Sequence, residues 1–388
     1  MSVSSRGRGD GEDGEARAGL VDPVAAALGV VASQGLPGAP ALSSLDLDPE
    51  AADALVSRAV TARLTGPLLL AADAGEVALP EAAVEALAEG HRGALLWCLH
   101  LERRLLELLE RLDGIDVRPV LLKGAAEAHL DRADPSLRTF ADLDLLVPGA
   151  AMDRVVALLG SLGGERPWAP RRPGFDARFA KSVTVRLPDG VEVDLHRNLC
   201  DGVHGVRVPP EELFAAPAAV EVGGRMVAAL RPEHRLLHAA HHAVLGSPTP
   251  SLHNLRDLAG HLVDPAIAVE AVAATAARWR GTAVLAVAVD AARAALRFDA
   301  PAWAAWRSAV GVTPAELAEV ASQREDGSSF GRTRLAALSE LPSRADQLAY
   351  LAAIAWPTSA HLASRGQRRT DLLHRAAARL RSLGRPTR

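Results

Sequence analysis

Two aspartates one residue apart, Asp142 and Asp144, open the apolar run Leu143–Val147. A run of this length beside turn-forming residues reads as a buried strand. Residues two apart on a strand share a face, so both carboxylates point one way while Leu143 and Leu145 point the other. Two carboxylates side by side repel, and burying them unpaired is costly. A divalent cation removes that conflict, and Mg²⁺ takes one or two carboxylates completed by water and substrate phosphates. Two such ions about 3.5–4 Å apart clamp the attacking and leaving oxygens of a phosphoryl or nucleotidyl transfer. Upstream, a second apolar run, Pro119–Leu122, precedes Lys123-Gly124 and a helix-compatible AAEAHL. Gly124 lets backbone approach a ligand closely, and the helix it opens aims free N–H groups at phosphate. Lys123 adds a point charge for a triphosphate. Its structural alternative is an ion pair with Glu127, one turn on, that only pins the loop. The loop through Asp134-Pro135-Ser136 ends in Arg138, a cation available to neutralise developing negative charge.

The elements that must position these groups are a strand, a glycine turn, a helix and a second strand. Downstream, Lys181–Leu187 and Val191–Leu195 form a hairpin around Pro188-Asp189-Gly190, whose turn chemistry is unambiguous. On its second strand Glu192, Asp194 and His196 share a face. Ala218–Leu230 reads as another hairpin about Gly223-Gly224, extending the sheet.

This order of elements resembles the DNA polymerase beta-like nucleotidyltransferase superfamily. LLKGAA followed by R-x-x-x-D-x-D-LLV is similar, more closely, to a bacterial family of uncharacterised nucleotidyltransferases. VEVDLH, RPEHRLLHAAHHAV and LHNLRDLAGHL carry the likeness to about Leu262. One departure is Lys123-Gly124 where many superfamily members have Gly-Ser. The resemblance implies an α+β fold, a small mixed sheet with flanking helices plus a largely helical C-terminal region. It implies a third carboxylate, Asp194, joining Asp142 and Asp144 as metal ligands and catalytic residues for Mg²⁺ or Mn²⁺. Lys123, Gly124 and Arg138 then hold an NTP, with ATP expected. The acceptor is a small molecule, a peptide or a protein, and family members lie among peptide natural-product genes. Two alternatives remain open: phosphoryl transfer on the same site, and a non-catalytic partner subunit of a biosynthetic complex.

The rest of the chain supplies scaffold. Its 388 residues suffice for two domains and a sizeable core. Residues 1–22 read as a disordered polar tail, 23–114 as N-terminal helices, 115–230 as the nucleotidyltransferase core and 231–388 as a helical accessory domain. Ala and Leu carry the hydrophobic load and favour helix. In the long helix from Pro80 to about Leu112, Leu95, Leu99, Leu105, Leu108 and Leu109 form the expected apolar stripe, and Asp113-Gly114 ends it. Trp168–Phe179 has the length of an active-site lid or a connector. In Pro232–Leu245 the pairs His234/His238 and His238/His242 are four residues apart and share a helix face; with no intervening Glu and no cysteine or further ligand beside a pair, a zinc site is not expected. Asp257 is read as orienting a cleft residue or as a surface ion pair. Trp279, Trp303, Trp306 and Trp356 are expected core fillers.

A net charge of −4 gives no reason to expect nucleic-acid binding. The arginine-rich stretch from Arg365 to Arg388 reads as a solvated face and tail. Cys98 and Cys200 are too few for a disulfide framework, which suits a reducing cytoplasm. No apolar run is long enough to span a membrane, so no membrane partner is expected.

Overall fold

The computed structural model describes residues 22–44, 47–324 and 336–370; the expected N-terminal tail and most of the arginine-rich C-terminus lie outside them. Strands β1 (Val120–Leu121), β2 (Leu143–Leu146), β3 (Ser182–Arg186), β4 (Glu192–His196), β5 (Ala218–Val222) and β6 (Arg225–Ala229) form one sheet. Its order is β3-β4-β2-β1-β6-β5. Both expected hairpins are present: β3 pairs antiparallel with β4, and β5 with β6. Strand β2 runs parallel to β4, while β1 is antiparallel to β2 and parallel to β6. The sheet is therefore mixed, as the expected fold class requires.

Helices precede and flank it: α1 (Pro23–Ser33), α2 (Pro49–Thr61), α3 (Thr65–Asp73), α4 (Glu81–Asp113), α5 (Lys123–Leu130) and α6 (Met152–Ser161). Short helices α7 (Phe175–Phe179), α8 (Gly202–Arg207) and α9 (Pro210–Phe214) follow. Then come α10 (Pro232–Leu245), α11 (Leu252–Val263), α12 (Val269–Arg278), α13 (Thr282–Leu296), α14 (Pro301–Ala309) and α15 (Pro314–Arg324), with further helices Arg344–Ala355 and Ser359–Ser364.

Alternation along the strands separates two cores. Leu143, Leu145, Val193 and Leu195 pack with α4, α5 and α6 on one face. On the other, Val120, Leu122, Leu146 and Leu230 join a core that includes both α1–α3 and α10–α13. Asp144, Asp194 and His196 alternate with the first set and so lie on this second face.

Two expectations need correcting. The buried stripe of α4 runs through Leu87, His91, Cys98, Leu101, Leu105, Leu108, Leu109 and Leu112; of the expected leucines Leu105, Leu108 and Leu109 are in it, whereas Leu99 is 62% exposed. The 3–4 spacing from Leu101 onward extrapolates back to Cys98, not to its leucine neighbour. Trp279 and Trp303 are buried fillers, but Trp356 is 52% exposed, with the Arg369 guanidinium 4.4 Å from its ring centroid. Among the described residues, no helix is long and apolar enough to cross a membrane.

Candidate active site

The D-x-D strand is held in place by α4. Phe140 N–H donates to Cys98 Sγ at 3.2 Å, and Trp97 Nε1 donates to the Ala141 carbonyl at 3.2 Å. Burial raises the Cys98 pKa, so the sulfur serves as a neutral clamp. Asp142 precedes β2, and Asp144 lies within it. The pairing register then places Asp144 opposite Asp194, and Asp194 opposite Thr184. Thr184, Asp194 and Asp144 thus form one row across β3, β4 and β2. Thr184 Oγ1 donates to Asp194 Oδ1 at 2.5 Å.

Asp144 is 3% exposed and is the electrostatic centre of the row. Lys123 Nζ lies 3.0 Å from its Oδ1, and His196 Nε2 lies 2.7 Å from the same oxygen. Burial opposes ionisation, but Lys123 and then His196 overrule it and hold the carboxyl well below the usual range. For Lys123, burial pulls the ammonium pKa down and Asp144 more than restores it, giving a net rise. Asp142 goes the other way: burial first, then the Asp144 charge, raise its pKa.

Potential ligand atoms of Asp144, Asp194 and His196 lie within 4.8 Å of one another. Two carboxylates on parallel neighbouring strands and a third, Asp142, whose ionisation is resisted by burial and then by Asp144, make a donor set that fits a hard divalent cation. Of the two lesser candidates for metal or general-base duty that share the Asp194 face, Glu192 and His196, the geometry brings His196 into the cluster.

Opposite the aspartates lies the Lys123-Gly124 turn. Both residues have positive φ, 25° and 39°, and Gly124 breaks the helical path at the start of α5. A Cβ at Gly124 would make ordinary van der Waals contact with Phe140 at 3.4 Å, so it is glycine's backbone freedom that is used there. A positive φ at lysine is a strained choice held by its surroundings, here by the Asp144 ion pair. A cavity of about 140 Å³ opens over the turn, lined by Lys123, Gly124, Asp142, Asp144, Arg63 and His242 among others. No local sequence signal marked Arg63, which enters from the segment between α2 and α3.

Arg138 also borders this cavity, but its guanidinium is engaged. Its Nε and Nη2 donate to Asp257 at 2.9 to 3.1 Å, Nη2 donates to Glu127 at 3.2 Å, and Nη1 donates to the Thr139 carbonyl. Arg132 Nη2 donates to the same Asp257 at 2.6 Å. Asp257 is thus a buried anchor, of the two readings the one that orients a cleft residue. Glu127, crowded by burial and then by Asp257, is pushed up to about 8. Burial, followed by the Lys123 charge, lowers His238 and brings His242 to about 3, so both stand neutral beside the cleft.

A mixed sheet that presents opposed aspartates beside a strained lysine–glycine turn belongs with enzymes that transfer phosphorus-containing groups. The matching family model, described as "Uncharacterised nucleotidyltransferase", spans residues 48–297, and the chain belongs to that family. It is a nucleotidyltransferase, an enzyme that uses an NTP and an acceptor. The chain is also similar to two solved structures. One is the solution structure of the antibiotic-resistance factor ANT(2'')-Ia, 17% identical, with 46% of this chain and 90% of that one covered and a TM-score of 0.32. The other is an antigenic nucleotidyltransferase-like protein from Paracoccidioides brasiliensis, 18% identical, with 49% and 92% covered and a TM-score of 0.30. Among curated proteins, none matches.

Proposed function

We propose that this enzyme moves a nucleotidyl group from an NTP, with ATP the expected donor, to a hydroxyl of a small-molecule, peptide or protein acceptor, in natural-product biosynthesis. The observation that carries the reading is the register that sets Asp144 against Asp194 with Asp142 at the head of the same strand. In this reading residues 115–230 form the catalytic core, and the helices of 23–114 and 231–388 enclose it. The two free cysteines suit a cytoplasmic setting.

Asp142, Asp144 and Asp194 would hold Mg²⁺ or Mn²⁺, with His196 beside them. A divalent cation there supplies polarisation of the α-phosphate and neutralisation of the departing pyrophosphate. The acceptor oxygen attacks the α-phosphorus, the bond to the α–β bridging oxygen breaks, and pyrophosphate leaves. Thr184 occupies Asp194 Oδ1, which leaves Oδ2 to receive the acceptor proton. Lys123 and the N–H groups at the Gly124 turn follow charge on the β- and γ-phosphates. Arg138 neutralises through the cleft floor, its orientation fixed by Asp257.

Incubation with ATP labelled at either the α- or the γ-phosphate, with Mg²⁺, tests the reading. Nucleotidyl transfer puts α-label on the acceptor and releases pyrophosphate. Transfer of γ-label instead would establish phosphoryl transfer on this site. Failure to bind any NTP with Mg²⁺ would leave only the non-catalytic partner.

A further inference from the structure

A second cavity of about 720 Å³ lies on the other side of Asp194. Thr184 and Ser182 of β3 form part of its wall, and Thr184 is the residue bonded to Asp194. The aspartate row therefore stands between the small cleft over Lys123-Gly124 and this larger space. The far wall comes from the C-terminal helices, through Asp346, Tyr350, His361 and Arg365.

The segment 168–179 closes the near side and is tied to those helices mostly through its backbone. Thr358 N–H donates to the Arg171 carbonyl at 2.9 Å, and Ala169 N–H donates to Ser364 Oγ at 3.1 Å. Two of its arginines act as pins: Arg172 Nε donates to the Trp356 carbonyl at 3.0 Å, and Arg178 pairs with Asp346 at 2.5 Å. Arg171 has no such task. Among the described residues its side chain forms no ion pair or hydrogen bond, with Tyr350 and Asp176 supporting its charge from a distance and Arg365 opposing it, and it lines the cavity.

The charge balance of this wall is lopsided. Six cationic side chains face three carboxylates. Two of the carboxylates, Asp176 and Asp346, are already taken by Arg166 and Arg178. Among the described residues Arg171, Lys181, Arg197 and Arg365 have no ion-paired carboxylate; Arg197 donates to the Ala180 carbonyl through Nε at 3.0 Å, and the third carboxylate, Asp201, supports its charge without pairing. Arg365 lies over the Trp168 ring, 4.2 Å from its centroid. Burial lowers the pKa of both Arg171 and Arg197, the direction expected when a desolvated guanidinium has no adequate counter-charge. The sequence contains only two lysines, Lys123 and Lys181, and each lines one of the two cavities.

We infer that the larger cavity is the acceptor subsite and that the acceptor carries an anionic group, carboxylate or phosphate, held by Arg171, Lys181 and Arg197 while its hydroxyl reaches Asp194. This rests on the nucleotidyl-transfer reading above for the role of the bound molecule. Guanidinium groups match carboxylate and phosphate through paired N–H donors. An acceptor bearing several ammonium groups would add like charge to an uncompensated cationic wall and is excluded. Phe175, Phe179 and Tyr350, stacked between the segment and the helix Arg344–Ala355, give the same space an apolar side for the acceptor body.

The two lysines supply the test. The full chain, with a non-hydrolysable ATP analogue and Mg²⁺, is treated with an amine-reactive reagent, and labelling of Lys123 and Lys181 is read separately by mass spectrometry. The probes are matched pairs: N-acetyltyrosine against N-acetyltyrosinamide, and glycerol 3-phosphate against glycerol. At roughly ten times its Kd the charged member of a pair should slow Lys181 labelling about tenfold, and its neutral mate should not. Which pair responds separates carboxylate from phosphate. Arg171→Gln should abolish the protection and Arg171→Lys should restore part of it, while unchanged Lys123 reactivity reports an intact fold. If neither charged probe protects Lys181 beyond its neutral mate, or if protection survives Arg171→Gln undiminished, the anionic acceptor subsite is refuted. Lys123 answers independently: absence of its protection by the nucleotide analogue removes the nucleotidyl reading and leaves the anion site standing.

Discussion

Asp144 and Asp257 are both buried carboxylates facing cations, yet they are built to opposite ends. Asp257 is closed: Arg138 and Arg132 fill its oxygens, and the one acid beside it, Glu127, is kept protonated near neutrality. Asp144 is open: Lys123 and His196 share a single oxygen, and Asp142 and Asp194 beside it add further carboxylates to the same face. A satisfied buried network rigidifies a fold, whereas one with surplus carboxylates on one face waits for a cation. The difference predicts that substitutions at the first site cost stability and at the second cost turnover.

The largest expected effect is at the closed site. Asp257→Asn leaves two buried guanidinium groups without their counter-charge and should destabilise by about 3–5 kcal/mol in chemical denaturation. A loss below about 1 kcal/mol would collapse the distinction drawn here. Asp144→Asn should lower kcat by about 10³-fold, close to 4 kcal/mol, and should remove the thermal shift that Mg²⁺ and ATP produce in the parent. A Mg²⁺-dependent shift that persists would move the cation elsewhere.

Lys123→Ala comes next, with kcat down about 10²-fold, or about 2.7 kcal/mol, and KM for ATP little changed. Because Lys123 pairs with Asp144 and not with Glu127, loss of stability with turnover per folded molecule preserved would make it a structural pin after all. Thr184→Val keeps shape and removes the donor to Asp194; about a tenfold fall in kcat, roughly 1.4 kcal/mol, is expected. An unaltered rate would show that the Asp194 proton acceptor needs no such orientation.

The smallest effect is at Glu127. Its folded-state pKa, about 8, lies above its ordinary 4.5, so the folded form retains a proton the unfolded chain has released. That group therefore costs stability progressively as pH rises from about 4.5 toward 8. Glu127→Gln should match the parent near pH 5 and gain on it as pH approaches 8, read as the difference in Tm across that range. A gap that widens toward acid would reverse the assignment.

What the sequence disclosed follows the range of the interactions. D-x-D on a strand, the hairpin turn and the Lys-Gly break are local patterns, and each appears where the period-2 alternation or turn chemistry places it. The row Thr184–Asp194–Asp144 depends on register between three strands, which alternation makes possible but does not specify. Asp257 meets Arg138 across 119 residues of chain, and no local rule selects that partner. The same holds for Arg63 and for Arg171, which reach their cavities from segments distant in the chain. In α4 the local signal misled because leucines occupy more than one stripe, and only the packing surface chooses among them.

The core shared by α1–α3 and α10–α13 has a consequence for how the protein comes into being. Buried Val30 and Val31 of α1 must find Leu258 and Val289, which a ribosome adds more than two hundred residues later. At roughly 5–20 residues per second, α1 waits on the order of ten to fifty seconds for these partners, with only α2 and α3 to pack against meanwhile. The sheet can close before then, because its last strand ends at Ala229. Birth order thus runs from the sheet outward, and α1–α3 are sealed only after the strands that follow them.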